Sequence, residues 1–127
     1  MVIGRPEWSA NSTVAFLFTD IEQSTQRWEG EPDSMSKAFA DHDQLLSDAI
    51  DTAGGHVFKH TGDGLCAVFP ATEQALQAAV DGQRSLFGHK WPTTSPIMVR
   101  MGVHAGLARL WGSETLSWLV RRRFRIH

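Results

Sequence analysis

Two aspartates, 43 positions apart, stand in settings suited to chemistry. Asp20 closes the stretch Val14-Ala-Phe-Leu-Phe-Thr-Asp20, whose apolar run Val14–Phe18 has the length and composition of a buried strand. The polar segment after it can open a helix. A carboxylate at the end of a buried strand, beside free N–H groups of a helix start, suits a metal ion and phosphates held together. Asp63 lies in His60-Thr-Gly-Asp-Gly64, a turn-forming sequence between two short apolar runs. Taken singly, each Asp is an ordinary capping or turn residue. Brought to one end of a sheet, the pair forms a site for two Mg²⁺ or Mn²⁺ ions. Such a site lowers the pKa of a hydroxyl nucleophile and neutralises a triphosphate leaving group.

The surrounding pattern must supply that convergence. Strand character runs over about Thr13–Thr19, and Glu22–Trp28 can form a short helix that Gly30-Glu-Pro32-Asp33 breaks. Asp33 or Ser34 can cap a long helix over Met35–Ala53, with Phe39, Leu45, Leu46, Ala49, Ile50 and Ala53 as its core stripe. Gly54-Gly55 ends it. His56–His60 and Leu65–Phe69 read as a hairpin, and Glu73–Phe87 as a helix with Ala75, Leu76, Ala79, Val80 and Leu86 inward. Ile97–Ala105 alternates as a strand, with Arg100 and His104 on its polar face. The order βαββαβ, with one extra short helix, is an α+β, ferredoxin-like, palm-like antiparallel sheet with helices on one face. In that topology the first strand is central, so Asp20 and Asp63 can meet.

Composition narrows the function classes. The 127 residues allow one domain of common size, and 42% hydrophobic content is enough for a core. The net charge of −2 argues against a protein that coats nucleic acid. Cys66 is the only cysteine, so no internal disulfide forms and a cytoplasmic location is expected. No signal-peptide layout and no apolar run of about 18 residues is present, so no membrane span is expected. Charge is nonetheless unevenly placed. Residues 107–127 hold five arginines and one acid, whereas the first 106 residues hold seven Lys/Arg against thirteen Asp/Glu. The expected division is a flexible leader over 1–12, a domain over 13–106 and an Arg/Trp-rich tail over 107–127.

Phe18-Thr-Asp-Ile-Glu-Gln-Ser-Thr25, Lys59-His-Thr-Gly-Asp-Gly64 and Val99-Arg-Met-Gly-Val-His-Ala-Gly106 together resemble the catalytic domain of class III nucleotidyl cyclases, bacterial adenylate cyclases especially. The resemblance covers residues 13–106. It implies conversion of ATP to cyclic AMP and pyrophosphate, with two Mg²⁺ or Mn²⁺ ions, in a homodimer whose sites lie at the subunit interface. Position by position it implies that Asp20 and Asp63 bridge the metals and that the Ile21 carbonyl is a further ligand. The segment Ile21, Glu22, Gln23, Ser24 and Thr25 would cradle the phosphates. Lys59 would read the adenine edge, and Arg100 would contact the triphosphate. Gln23 stands where the family commonly has glycine. Diguanylate cyclases share the palm-like sheet but expect a Gly-Gly-Asp/Glu-Glu-Phe hairpin, which Thr61-Gly-Asp-Gly64 does not match.

Beyond Gly106 the sequence departs from that pattern. The family's adenine-pairing Asp, its Asn-x-x-x-Arg and its late triphosphate lysine have no counterpart, since residues 107–127 contain no Asp, Asn or Lys. The change of charge sign at the same place suggests a frameshift or equivalent truncation, the other reading being a divergent basic helix such as Leu116–Phe124. A domain cut there would keep its metal carboxylates, lose the C-terminal part of the fold, expose a sheet edge and turn over weakly or not at all. As a non-catalytic remnant it would bind metal and nucleotide or pair with a full-length cyclase.

Overall fold

A computed structural model describes residues 13–107; the leader, the Arg-rich tail and the expected helix Leu116–Phe124 lie outside the described residues. The elements run β1 (Thr13–Ile21), α1 (Ser24–Gly30), α2 (Pro32–Thr52), β2 (His56–His60), β3 (Leu65–Phe69), α3 (Thr72–Gly88) and β4 (Val99–Leu107). The four strands form one sheet in the order β2-β3-β1-β4, every neighbouring pair antiparallel. This is the expected split βαβ arrangement.

Strand alternation divides the sheet into two faces. Ala15, Leu17, Ile21, Leu65, Ala67, Phe69 and Val99 join Met35, Ala38, Leu46, Ile50, Ala75, Ala78 and Leu86 from the helices in one buried core. The alternate strand residues, Phe16, Phe18, Asp20, Cys66 and Arg100 among them, lie on the opposite face. There Phe16 stacks on Phe18 at 6.0 Å and meets Phe58 edge-on at 6.2 Å. The functional residues are carried on this second face, away from the helices.

Three boundaries and one helix face differ from the sequence reading. β1 continues past Thr19 to Ile21, so Asp20 is inside the strand, because β4 pairs with it through Asp20↔Arg100 and Ile21↔Val99. α2 starts at Pro32, whose fixed φ and missing N–H suit the first helical turn, so neither Asp33 nor Ser34 caps it. β4 starts at Val99 rather than Ile97. On α3, Leu76 and Val80 are exposed (50% and 46%), and the buried stripe is Ala75, Ala78, Gly82 and Leu86. Small residues win there because α3 lies close against α2: a Cβ on Gly82 would stand 3.0 Å from Leu46 Cδ2. Among the described residues, no helix is long and apolar enough to cross a membrane.

Candidate functional site

Asp20 and Asp63 are drawn together by backbone. The Ile21 N–H donates to the Asp63 carbonyl at 3.0 Å, and the Glu22 N–H to the Met98 carbonyl at 2.8 Å. Two features make the first contact possible. Gly62, at φ +87, turns the hairpin loop through the left-handed region. Gly64 lies so close to β1 that a Cβ there would fall 1.8 Å from the Thr19 carbonyl oxygen. Thr19 closes the junction: its buried Oγ1 accepts from the Leu65 N–H at 2.9 Å and donates to the Leu65 carbonyl at 3.4 Å. The motif Thr61-Gly-Asp-Gly64 is thus a loop pressed against the end of β1.

Each carboxylate has one side-chain partner recorded. Asp20 accepts two hydrogen bonds from Arg100, from Nε at 3.0 Å and Nη2 at 2.9 Å, a bidentate pair between register partners. The Arg100 side chain is 66% exposed and that of Asp20 17%. Asp63 Oδ2 accepts from the Ser24 hydroxyl at 2.9 Å. The sequence placed Ser24 and Arg100 toward phosphates; in this structure both face the carboxylates instead.

Gln23 takes φ +56 and ψ +36 at the N-cap of α1, a left-handed conformation that glycine adopts freely and glutamine does not. This is the backbone reason that glycine suits the position. Gln23 and Thr25 are exposed, Glu22 half-buried. Arg27 fastens α1 to the loop before β4, donating to the Ser95 and Pro96 carbonyls at 3.1 and 2.6 Å. The sequence gave no sign of that anchor, since Arg27 on a short helix looks solvated. A cavity of about 270 Å³ beside it is lined by Gln23, Gln26, Arg27, Gly30, Glu31, Thr94 and Ser95. It reaches Gln23 but neither aspartate.

Lys59 lies two strands from β1. It pairs with Cys66, which pairs with Phe18, so Lys59 shares the face of Asp20 and Arg100. A register shift between Val57 and Lys59 makes this so. Counting on from Val57↔Ala67, an unbroken ladder would set Phe58 opposite Cys66 and turn Lys59 to the helix face. The bulge re-aims the lysine. Strand spacing puts Lys59 roughly 10 Å from β1. His60 and His104 are exposed and Cys66 is buried.

His42 was not singled out by the sequence pattern. It is fully buried on α2, its ring stacked on Phe39 at 5.6 Å, with Nδ1 3.1 Å from Asp43 Oδ1 and Nε2 without a partner among the described residues. Burial holds its pKa below the ordinary histidine value, and this outweighs the opposing pull of Asp43, the Phe39 backbone and Asp63.

The donor set fits a divalent cation in chemistry. It consists of two carboxylates and nearby backbone oxygen, hard ligands of the kind Mg²⁺ and Mn²⁺ take, and a cationic group already stands against Asp20. Among the described residues, no group of three or more His, Cys, Asp or Glu side chains is placed to hold a metal. Any cation here would therefore rest on this pair and on backbone or substrate oxygen.

No protein-family profile matches the chain. It is 35% identical over 100 residues to an uncharacterized protein of Mycobacterium tuberculosis, spanning 77% of this chain and 33% of that protein. It is 31% identical over 112 residues to the adenylate cyclase of Podospora anserina, spanning 73% of this chain and 5% of the fungal protein. Its fold superposes on an adenylate cyclase of Trypanosoma brucei, solved in the monomeric state, with a TM-score of 0.73 and 22% identity, covering 83% of this chain and 59% of that one. Guanylate cyclase domains share the fold as well. The chain thus spans about a third of its mycobacterial relative and far less of the fungal enzyme. With the three motifs placed on this sheet, the chain belongs to the class III nucleotidyl cyclase family.

Proposed function

We propose that residues 13–107 form the cation- and triphosphate-binding half of an adenylate cyclase site. The observation that carries this reading is the Ile21 N–H to Asp63 carbonyl bond at 3.0 Å, which fixes two carboxylate-bearing segments at one end of the sheet. Asp20 and Asp63 would hold two Mg²⁺ or Mn²⁺ ions, with the Ile21 carbonyl as a further ligand. The backbone from Ile21 to Thr25, entering α1, offers N–H groups to phosphate oxygens. Arg100, on the same face, would meet the triphosphate, and Lys59 would orient the adenine edge. Bound divalent cations supply a lowered pKa at the attacking 3′-hydroxyl and charge neutralisation on the departing pyrophosphate.

The residues that would stabilise the transition state are a separate matter. No Asn-x-x-x-Arg follows Gly106 in this sequence. Loss of one such donor lowers a rate by about 10²–10³, so these residues alone should bind better than they turn over. A second chain is the natural source of the missing groups if the site is shared between protomers.

Cyclic AMP formation with ATP and Mn²⁺ tests this, for the chain alone and for a mixture with an intact cyclase whose metal aspartates are changed. We expect Asp20-dependent activity in the mixture and little from the chain alone. Robust turnover by the chain alone, abolished by Asp20→Ala, would show that the site is complete without a second chain. No activity in either, together with no Mn²⁺ binding that Asp20 or Asp63 controls, would end the proposal.

A further inference from the structure

Asp20 and Arg100 face one another across the β1–β4 ladder, and the guanidinium occupies both carboxylate oxygens through Nε and Nη2. Asp63 has no such partner recorded; it accepts from the Ser24 hydroxyl, which carries no charge. The two carboxylates are therefore balanced differently. One already holds a cation from its own chain, and the other does not.

We propose that Arg100 is an internal counter-cation of Asp20 that must be displaced for a divalent ion to bind there, and that a bound triphosphate favours the exchange by accepting the released guanidinium. This rests on the reading of Asp20 as a metal ligand and adds to it a reason for metal and nucleotide to bind together. A divalent cation approaching Asp20 meets a positive group within hydrogen-bond distance of both oxygens, so the ion alone binds weakly. The guanidinium is mostly exposed, with 66% of the side chain in solvent, so it can leave by rotating its side chain without disturbing β4. A triphosphate carries oxygens that suit the same planar donor fork. Arg100 then passes from one anion to another as the cation takes its place. The backbone pairing Asp20↔Arg100 is unchanged throughout, which keeps the guanidinium within reach of both partners.

The exchange demands opposite effects from one substitution. Arg100→Gln removes the competing charge and should tighten Mn²⁺ binding in the absence of nucleotide by about two- to fivefold, the range of an exposed ion pair. The same change should weaken binding of a fluorescent, non-hydrolysable ATP analogue at saturating Mn²⁺ by about tenfold, the scale of a lost hydrogen bond to a charged group. Mn²⁺ is followed by the electron paramagnetic resonance signal of the free ion, and the nucleotide by fluorescence. Arg100→Lys, which keeps the charge but not the fork, should fall between. Asp20→Asn in either background should remove the Mn²⁺ site that Arg100 modulates. Mn²⁺ affinity that depends on Asp20 but is unchanged or weaker in Arg100→Gln overturns the exchange and leaves the metal site standing. Mn²⁺ and nucleotide affinities that move in the same direction also overturn it. Absence of any Asp20-dependent Mn²⁺ site, in the original chain and in Arg100→Gln, overturns both the exchange and the metal reading beneath it.

Discussion

Ser24 and Asp63, 39 positions apart in the chain, are joined by a 2.9 Å hydrogen bond from the serine hydroxyl to Oδ2 of the aspartate. The bond ties the first turn of α1 to the hairpin loop and leaves the other carboxylate oxygen to be aimed elsewhere. Groups that orient a ligand in this way typically change metal affinity by 10- to 100-fold when removed. Ser24→Ala is accordingly expected to weaken Asp63-dependent Mn²⁺ binding by about tenfold, at the low end of that range. Ser24→Thr, which keeps the hydroxyl, should restore most of it. Mn²⁺ titration with circular dichroism as a check on folding reads both. Equal affinity in all three proteins would show that the bond serves α1 and not the site.

Gly64 is where the loop and β1 come closest, and the obstacle to a side chain is backbone. A Cβ would lie 1.8 Å from the Thr19 carbonyl oxygen, 2.8 Å from its carbon and 3.1 Å from the Asp20 Cα. Gly64→Ala must therefore push the loop off the strand, and we expect a loss of about 3 kcal/mol, the upper end of usual overpacking. Gly62→Ala is the control. Its φ is +87, but nothing stands within 4 Å of the new Cβ, so only the left-handed penalty of about 1–2 kcal/mol applies. Urea unfolding of the two variants should rank them in that order.

Gln23 invites the reverse experiment. At φ +56 it is the one non-glycine residue with positive φ among the described residues. Gln23→Gly relieves that strain while adding freedom to the unfolded chain, so the two effects partly cancel. A net gain of up to about 1 kcal/mol is expected, or about 4–8 °C in Tm for a domain of this size. A fall in Tm would show that the glutamine side chain makes a stabilising contact.

These positions also show what the sequence disclosed and what it withheld. The strand order and the closeness of Asp20 and Asp63 were legible, because apolar runs, glycine-rich breaks and helical periodicity act locally and combine into few topologies. The Asp20–Arg100 pair was not: 80 residues separate the two, and only the β1–β4 register sets them opposite. The same holds for Lys59, whose face depends on a one-residue bulge at Phe58 that no composition rule announces. Helix α3 misled for a different reason. Leu76 and Val80 look like core by type, yet close approach to α2 selects Ala75, Ala78 and Gly82 by size. His42 escaped notice because a lone histidine in a polar-looking stretch gives no pattern, although the packing of α1 and α2 buries it fully.

That buried histidine should make stability depend on pH. In the folded chain, burial lowers the His42 pKa, while in the unfolded chain it returns to about 6.5. Above that value both states are neutral at this residue and it contributes no slope. As pH falls below about 6.5 the unfolded state takes up the proton first, so the folded state loses stability until pH passes the lowered folded pKa. The groups that oppose this are Asp43, at 3.1 Å, and Asp63, both of which favour the charged ring. His42→Leu removes the titration and the unpartnered Nε2 together. Urea unfolding from pH 7.5 to 5.0 should show the original chain losing more stability than the variant over that interval. The other histidines titrate in both proteins and cancel in the difference. Parallel curves would mean that His42 is protonated equally in the folded and unfolded states, and that Asp43 and Asp63 offset its burial.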